Sequence, residues 1–221
     1  MLPLDESSAV GQATINLSVD IIATILNITV VAWSKVITID EVSPTMLEPK
    51  IAGYLRRAMT SEKNSRTGLK SQLRIEPEVG TLASPDSVEP EGRIDIKIIY
   101  SFDEEEYFGM ECKRVSSSTT GKDRELAKKY ITEGIVRFVN GIYCPRHGCA
   151  AMLGFVIDGN TKGCIERIRN RLEQTKQESC IEESWMAENS FGAYPSLYRT
   201  RHRQNKQNSS INLLHLFLSW Q

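Results

Sequence analysis

Arg93-Ile-Asp-Ile-Lys-Ile-Ile-Tyr100 and, after Ser101-Phe-Asp-Glu-Glu105, Glu106-Tyr-Phe-Gly-Met-Glu-Cys-Lys-Arg114 decide how this chain reads. Both flanking stretches are rich in β-formers, and the polar run between them supplies a reversal, so a β-hairpin is expected. Asp95 and Glu111 each lie eight residues from Asp103, so pairing centred there sets them opposite one another, with Cβ atoms roughly 5 Å apart. Strand side chains alternate, which sends Glu111 and Lys113 to one face and Met110 and Cys112 to the other. Two carboxylates and an ammonium are predicted to converge, with Cys112 pointing into the core.

Like charges opposed across a ladder repel, and a hard divalent cation is the natural filler. One or two carboxylates with water suit Mg²⁺, and Mn²⁺ fits the same oxygen donors. Lys113 then stands where an ammonium can orient an attacking water or balance charge on a phosphate in transit. The chemistry these residue types suggest is hydrolysis of a phosphodiester.

Asp95, with Glu111-Cys112-Lys113 in the next strand, resembles the PD-(D/E)XK, or restriction-endonuclease-like, nucleases, whose signature is an acid in one strand and acid-x-Lys in the next. The proline of the motif's name is absent, since Arg93-Ile94 precede Asp95. Such proteins commonly add a glutamate from the helix before the sheet, and Glu48 in Leu47-Glu-Pro-Lys-Ile-Ala-Gly-Tyr-Leu-Arg-Arg57 is the candidate. An acid and a proline in a first helical turn have an ordinary structural explanation as well. The resemblance implies an α/β fold, a mixed central sheet flanked by helices in the core order α-β-β-β-α-β. It further implies a Mg²⁺-dependent endonuclease with Asp95, Glu111, Lys113 and Glu48 as catalytic residues, and Asp95, Glu111 and Glu48 at the metal.

Elements along the chain follow that order over roughly residues 44–175. A helix is expected over 44–60 and a strand over 72–81 before the hairpin. A Ser/Thr/Gly loop, 116–121, and a long helix over 122–140 come after it, then a buried strand over 150–157 and an amphipathic helix from Thr161. A strand over 211–220 closes the chain. In the long helix Gly134 costs about 1 kcal/mol against alanine, which points to close approach by a packed strand or a substrate backbone. Arg137 is placed to grip a phosphate with its fork or to pair with Glu133 one turn earlier. The Tyr130 to Phe138 stretch and the Ala150 to Val156 strand resemble small stand-alone bacterial members associated with defence against phage or with restriction.

A 221-residue chain of formal charge −1 suits one domain, residues 44–221, with 1–43 as an N-terminal helical or strand extension packed on it. Any surface for a polyanion must be local. Arg199, Arg201, His202, Arg203 and Lys206 form one basic group, read as phosphate contacts or as a solvated loop; Arg167, Arg169 and Arg171 form another in the amphipathic helix. The odd cysteine count with no secretory leader favours a reduced, cytoplasmic setting. Cys144, His147 and Cys149 offer three soft metal ligands without a fourth, and otherwise make a plain loop. His215, in an apolar strand, reads as a core or edge histidine. The apolar Ile15–Val36 segment is interrupted by Asp20, Asn27 and Ser34 and falls short of the ~20 residues of a span, so no membrane role is expected.

Nucleic acid is the expected partner, DNA favoured and RNA open, with a homodimer and an activating partner protein both compatible. The competing reading is a catalytically inactive protein of the same fold that binds nucleic acid or docks a partner.

Overall fold

The computed structural model describes residues 17–69, 72–76, 79–81, 92–101, 106–143, 148–192, 194, 196–206 and 209–220. Two helices open the described chain, α1 (Val19–Val36) and α2 (Glu48–Ser65). Short strands follow, β1 (Arg74–Glu76), β2 (Val79–Thr81), β3 (Gly92–Ile94) and β4 (Ile96–Ile99), and then the long β5 (Tyr107–Val115). The next helical stretch is a composite: a 3-10 turn Gly121–Glu125, α3 (Leu126–Tyr130), a π-helical turn Ile131–Ile135 and α4 (Val136–Val139). β6 (Cys149–Val156), α5 (Thr161–Gln174), α6 (Lys176–Ser179), β7 (Ile181–Ala187), β8 (Leu197–Arg203) and β9 (Ser210–Ser219) complete the chain.

Seven strands form one mixed sheet in the order β1-β4-β5-β6-β9-β8-β7. β5, β6 and β9 run parallel at its centre and the outer pairs are antiparallel. The central strands carry near-continuous apolar runs because both faces are covered. Ile96, Ile98, Phe108, Met110, Cys112, Leu153 and Phe155 pack under α1 and α2. Val115, Ala150, Met152, Val156 and Leu213 pack under the composite helix and α5. The expected mixed sheet between helices is present; between α2 and the composite helix the chain forms five strand pieces, of which β1, β4 and β5 join that sheet.

Several expectations need correction. The strand over 72–81 is two three-residue pieces with different partners, β1 on β4 and β2 on β3. The strand over 93–100 breaks at Asp95, because its carboxylate accepts the Cys112 N–H at 2.7 Å, one step past the last ladder pair, Ile96 with Met110. A polar side chain satisfying a backbone donor is a local alternative to the ladder. The basic stretch 199–203 lies in β8, paired with β7 and β9, and is no solvated loop. The helix expected over 44–60 starts at Glu48, with a proline in its first turn, and runs to Ser65.

α1 is long and apolar enough, by length and composition, to cross a membrane, which overturns the argument from length. Its apolar side is spent on the sheet instead. Ile22, Ile25, Leu26, Ala32, Trp33 and Val36 are buried, Trp33 stacks on Phe155, and its indole N–H donates to the Ser219 carbonyl at 2.7 Å. The N-terminal segment therefore covers the core as a helix. Residues 1–16, the acidic, proline-containing stretch 85–91 that the sequence suggests as a turn, most of the 101–105 reversal, Cys144 and His147 fall outside the described residues.

Candidate functional site

The ladder between β4 and β5 has the register expected for a reversal centred on Asp103, since Ile96 pairs with Met110 and Ile99 with Tyr107. Asp95 and Glu111 are therefore the next opposed pair, with Asp95 in the bend between β3 and β4. Glu111 and Lys113 share a face of β5 and are both buried, while Cys112 points into the core under α1 and α2. The Lys113 ammonium donates to Glu111 Oε1 at 2.8 Å, to Glu48 Oε1 at 3.0 Å and to the Cys112 carbonyl at 3.0 Å.

Glu48 reaches this point because α2 begins beside β5. Its Oε2 accepts the Arg114 N–H at 2.7 Å while Oε1 takes Lys113, so both oxygens are engaged by donors of the same strand. Asp95, Glu111, Lys113 and Glu48, the four residues singled out in the sequence, are thus brought together. Arg137 joins them from α4, with Nη1 3.7 Å from Glu111 Oε1. Its partner is this glutamate and not Glu133, with which it makes no ion pair among the described residues.

One atom in the cluster lacks a partner. Glu111 Oε2 is buried and accepts no hydrogen bond among the described residues. Burial and the nearby Asp95 carboxylate push the Glu111 carboxyl up to about 8, against the pull of Lys113 and Arg137. Burial alone would lower the Lys113 ammonium, but Glu111 and Glu48 outweigh it and hold Lys113 above its ordinary value. The ammonium stays charged, and Glu111 is the group whose charge is least supported. A cation between Asp95 and Glu111 would reverse both causes. Among the described residues no three His, Cys, Asp or Glu side chains form a ready cation cage; this site offers a carboxylate pair, which suits a cation that keeps most of its water.

Two parts of the site were not placed there by sequence reasoning. The Tyr143 hydroxyl receives Arg137 Nη1 at 2.5 Å and donates to the Arg93 carbonyl at 2.8 Å, fixing the arginine against the strand that leads to Asp95. Burial and Glu111 push that hydroxyl up to about 12. The contact spans fifty residues, and Tyr143 follows the helix in what reads as loop. The second is the π-helical turn. A Cβ on Gly134 would lie 2.3 Å from the Met152 methyl, and Lys113 Cγ is 3.8 Å from the same point. The close approach anticipated at Gly134 is thus to β6, and the widened turn lies against the site. Such turns recur at functional positions.

The remaining candidates lie elsewhere. Arg199 pairs with Glu188 and Glu183, and Arg201 with Glu182 and Glu183. β8 is three strands, roughly 14 Å, from β5, and its carboxylate neighbours leave little free positive charge for a phosphate. Arg203 is exposed at the end of β8, and Cys149 opens β6. His202 is fully buried and so does not face a phosphate. In comparisons with protein-family models, with curated proteins and with solved structures, the chain matches none.

Proposed function

We propose that the chain is a metal-dependent nuclease with a restriction-endonuclease-like core and a PD-(D/E)XK-type site, acting on DNA in preference to RNA. The single observation that carries this reading is the buried, donorless Glu111 Oε2 beside Asp95 and within one side chain of Lys113. A buried polar atom without a partner is costly, and a divalent cation held by Asp95 and Glu111 satisfies it. When bound, Mg²⁺ or Mn²⁺ supplies a Lewis acid for the phosphodiester and eases ionisation of the attacking water.

The chain's own residues do the rest. Lys113, kept charged by its carboxylate neighbours, sits where it can orient water or meet charge developing on the phosphate. Glu48, expected at the metal, has both oxygens committed to Lys113 and Arg114, so here it positions the ammonium and anchors β5 to α2. Arg137, with 40% of its side chain exposed, has a guanidinium fork within reach of a phosphate at the mouth of the site. Service in phage defence or restriction in a cytoplasm, as a homodimer or under an activating partner, belongs to the same reading.

The inactive alternative is favoured by one feature, the Lys113 ammonium already placed between Glu48 and Glu111 as an internal counterion. Hydrolysis of labelled DNA and RNA with Mg²⁺ or Mn²⁺ decides between them. Asp95→Ala and Lys113→Ala are each expected to reduce cleavage by on the order of a thousandfold. Cleavage that survives both changes removes this site from the mechanism. No cleavage of any form, with no metal bound, selects the inactive protein.

A further inference from the structure

A groove of about 310 Å³ runs between the 3-10 turn Gly121–Glu125, α3 and α5. Arg124, Lys128, Arg167 and Arg171 line it against a single carboxylate, Glu125. We propose that this groove is a track for the phosphate backbone of nucleic acid leading to the candidate active site; its ligand class rests on the nuclease reading.

Three observations converge. The first is uncompensated charge: only Arg124 has a carboxylate partner, the exposed Glu125 at 3.3 Å, and Lys128, Arg167 and Arg171 form no ion pair among the described residues. Concentrating cations on a chain of formal charge −1 is unfavourable unless a polyanion answers them. The arginines of β8, each flanked by carboxylates, show the opposite solution. The second is an unsatisfied donor, since Arg171 Nε is buried with no partner among the described residues while Nη1 holds Gln174 Oε1 at 3.2 Å. A phosphate oxygen is an acceptor of the right kind.

The third is placement. Arg167 donates to the Ser116 carbonyl at 3.4 Å and to the Arg124 carbonyl at 2.8 Å, which pins its charge between the exit of β5 and the 3-10 turn. Ser116 lies three residues beyond Lys113, roughly 10 Å along an extended chain. That distance equals the axial rise of about three nucleotides of duplex DNA, at ~3.4 Å each. A strand whose scissile phosphate meets Lys113, and which runs toward the exit of β5, brings its neighbouring phosphates to Arg167 at the edge of the groove.

The test is binding of labelled single-stranded and duplex DNA to the full chain by fluorescence anisotropy, in EDTA so that no strand is cut, across a salt series. Lys128→Gln with Arg171→Gln removes two charges and touches neither the carboxylates nor Lys113. Affinity is expected to fall at least about tenfold, and the slope of log K against log salt to flatten by roughly 1.4 for single strands and 1.8 for duplex. Unchanged affinity and slope in a double variant that melts with the wild type overturns the proposal. So does full displacement of the DNA by inorganic phosphate at concentrations equal to the probe, which would assign the groove to a small anion. A parallel cleavage assay separates the two readings. Groove-dependent binding without cleavage leaves the track and removes the nuclease, while cleavage indifferent to both substitutions leaves the nuclease and removes the track.

Discussion

The sheet carries two buried polar clusters, and they are finished to different degrees. On β8 and β9 a chain of hydrogen bonds runs from the Ser179 carbonyl through His202, Thr200 and His215 to Tyr130. The carbonyl can only accept, so His202 Nδ1 donates to it and Nε2 accepts from Thr200. His215 Nε2 then donates to Thr200 Oγ1, and Nδ1 accepts from Tyr130. Both rings are neutral, each in one tautomer, and every ring nitrogen and hydroxyl in the chain is used. On β5 the carboxylates, Lys113 and Arg137 leave Glu111 Oε2 with nothing. A closed network is structure; an open one, at a carboxylate set opposite a second carboxylate, points to a missing ligand.

Breaking the closed cluster should have the largest effect. His215→Ala strands the Tyr130 hydroxyl, removes the donor to Thr200 Oγ1 and empties space under Trp185, which stacks on the ring at 4.3 Å. A loss of about 4 kcal/mol is expected, read as a lower midpoint in urea. If the variant is as stable as the wild type, the network is not the structural element described here.

Acid should open the same cluster next. Burial depresses His202 to about 4 and His215 well below its ordinary value, whereas an unfolded histidine titrates near 6.5. Between those values the unfolded chain binds more protons, so stability present above about pH 6.5 is lost as the pH falls toward 4. His202 alone contributes on the order of 3 kcal/mol of that loss. Urea titrations of the wild type and His202→Gln should diverge above pH 6 and converge near pH 4. Parallel curves would contradict the assignment.

At the open cluster the sign of the experiment changes, because here adding something should stabilise. Mg²⁺ or Mn²⁺ at a hundredfold excess over its Kd contributes about 2.7 kcal/mol, which for a chain of this size raises Tm by roughly 5–10 °C. Asp95→Asn should abolish the rise. An equal rise in the variant would place any bound metal elsewhere.

The smallest effect belongs to the basic group on β8. Arg199→Gln and Arg201→Gln remove partly exposed cross-strand ion pairs, each worth less than about 1 kcal/mol, and should leave DNA affinity within about twofold. Affinity that collapses instead would return this strand to the nucleic-acid surface and weaken the case for the groove beside α5.

Much of the site was legible because it is local. Opposed positions around one reversal and a two-residue alternation on one strand are properties of a contiguous stretch, and Asp95, Glu111 and Lys113 follow from them. Glu48 was readable as a helix start, but that α2 begins beside β5 depends on packing across more than sixty residues. Arg137 was visible as a cation on a helix, and its real partners, Glu111 and Tyr143, were not, because a π-helical turn rotates the residues after it relative to a regular helix. The 199–203 stretch misled for a related reason. Its charges read as phosphate contacts or as a solvated loop, and only the pairing of β8 with an acidic β7 shows what neutralises them.

By itself the sequence determined the central strands β4, β5, β6 and β9 and the helices between them, the hairpin register, and which face of β5 is polar, since each of these is set by hydrophobic period and turn chemistry over a few residues. The tertiary structure alone decided which cations are answered by carboxylates and which are left open, and which buried oxygen has no donor. Those properties are sums over atoms from distant parts of the chain, and no local pattern encodes them.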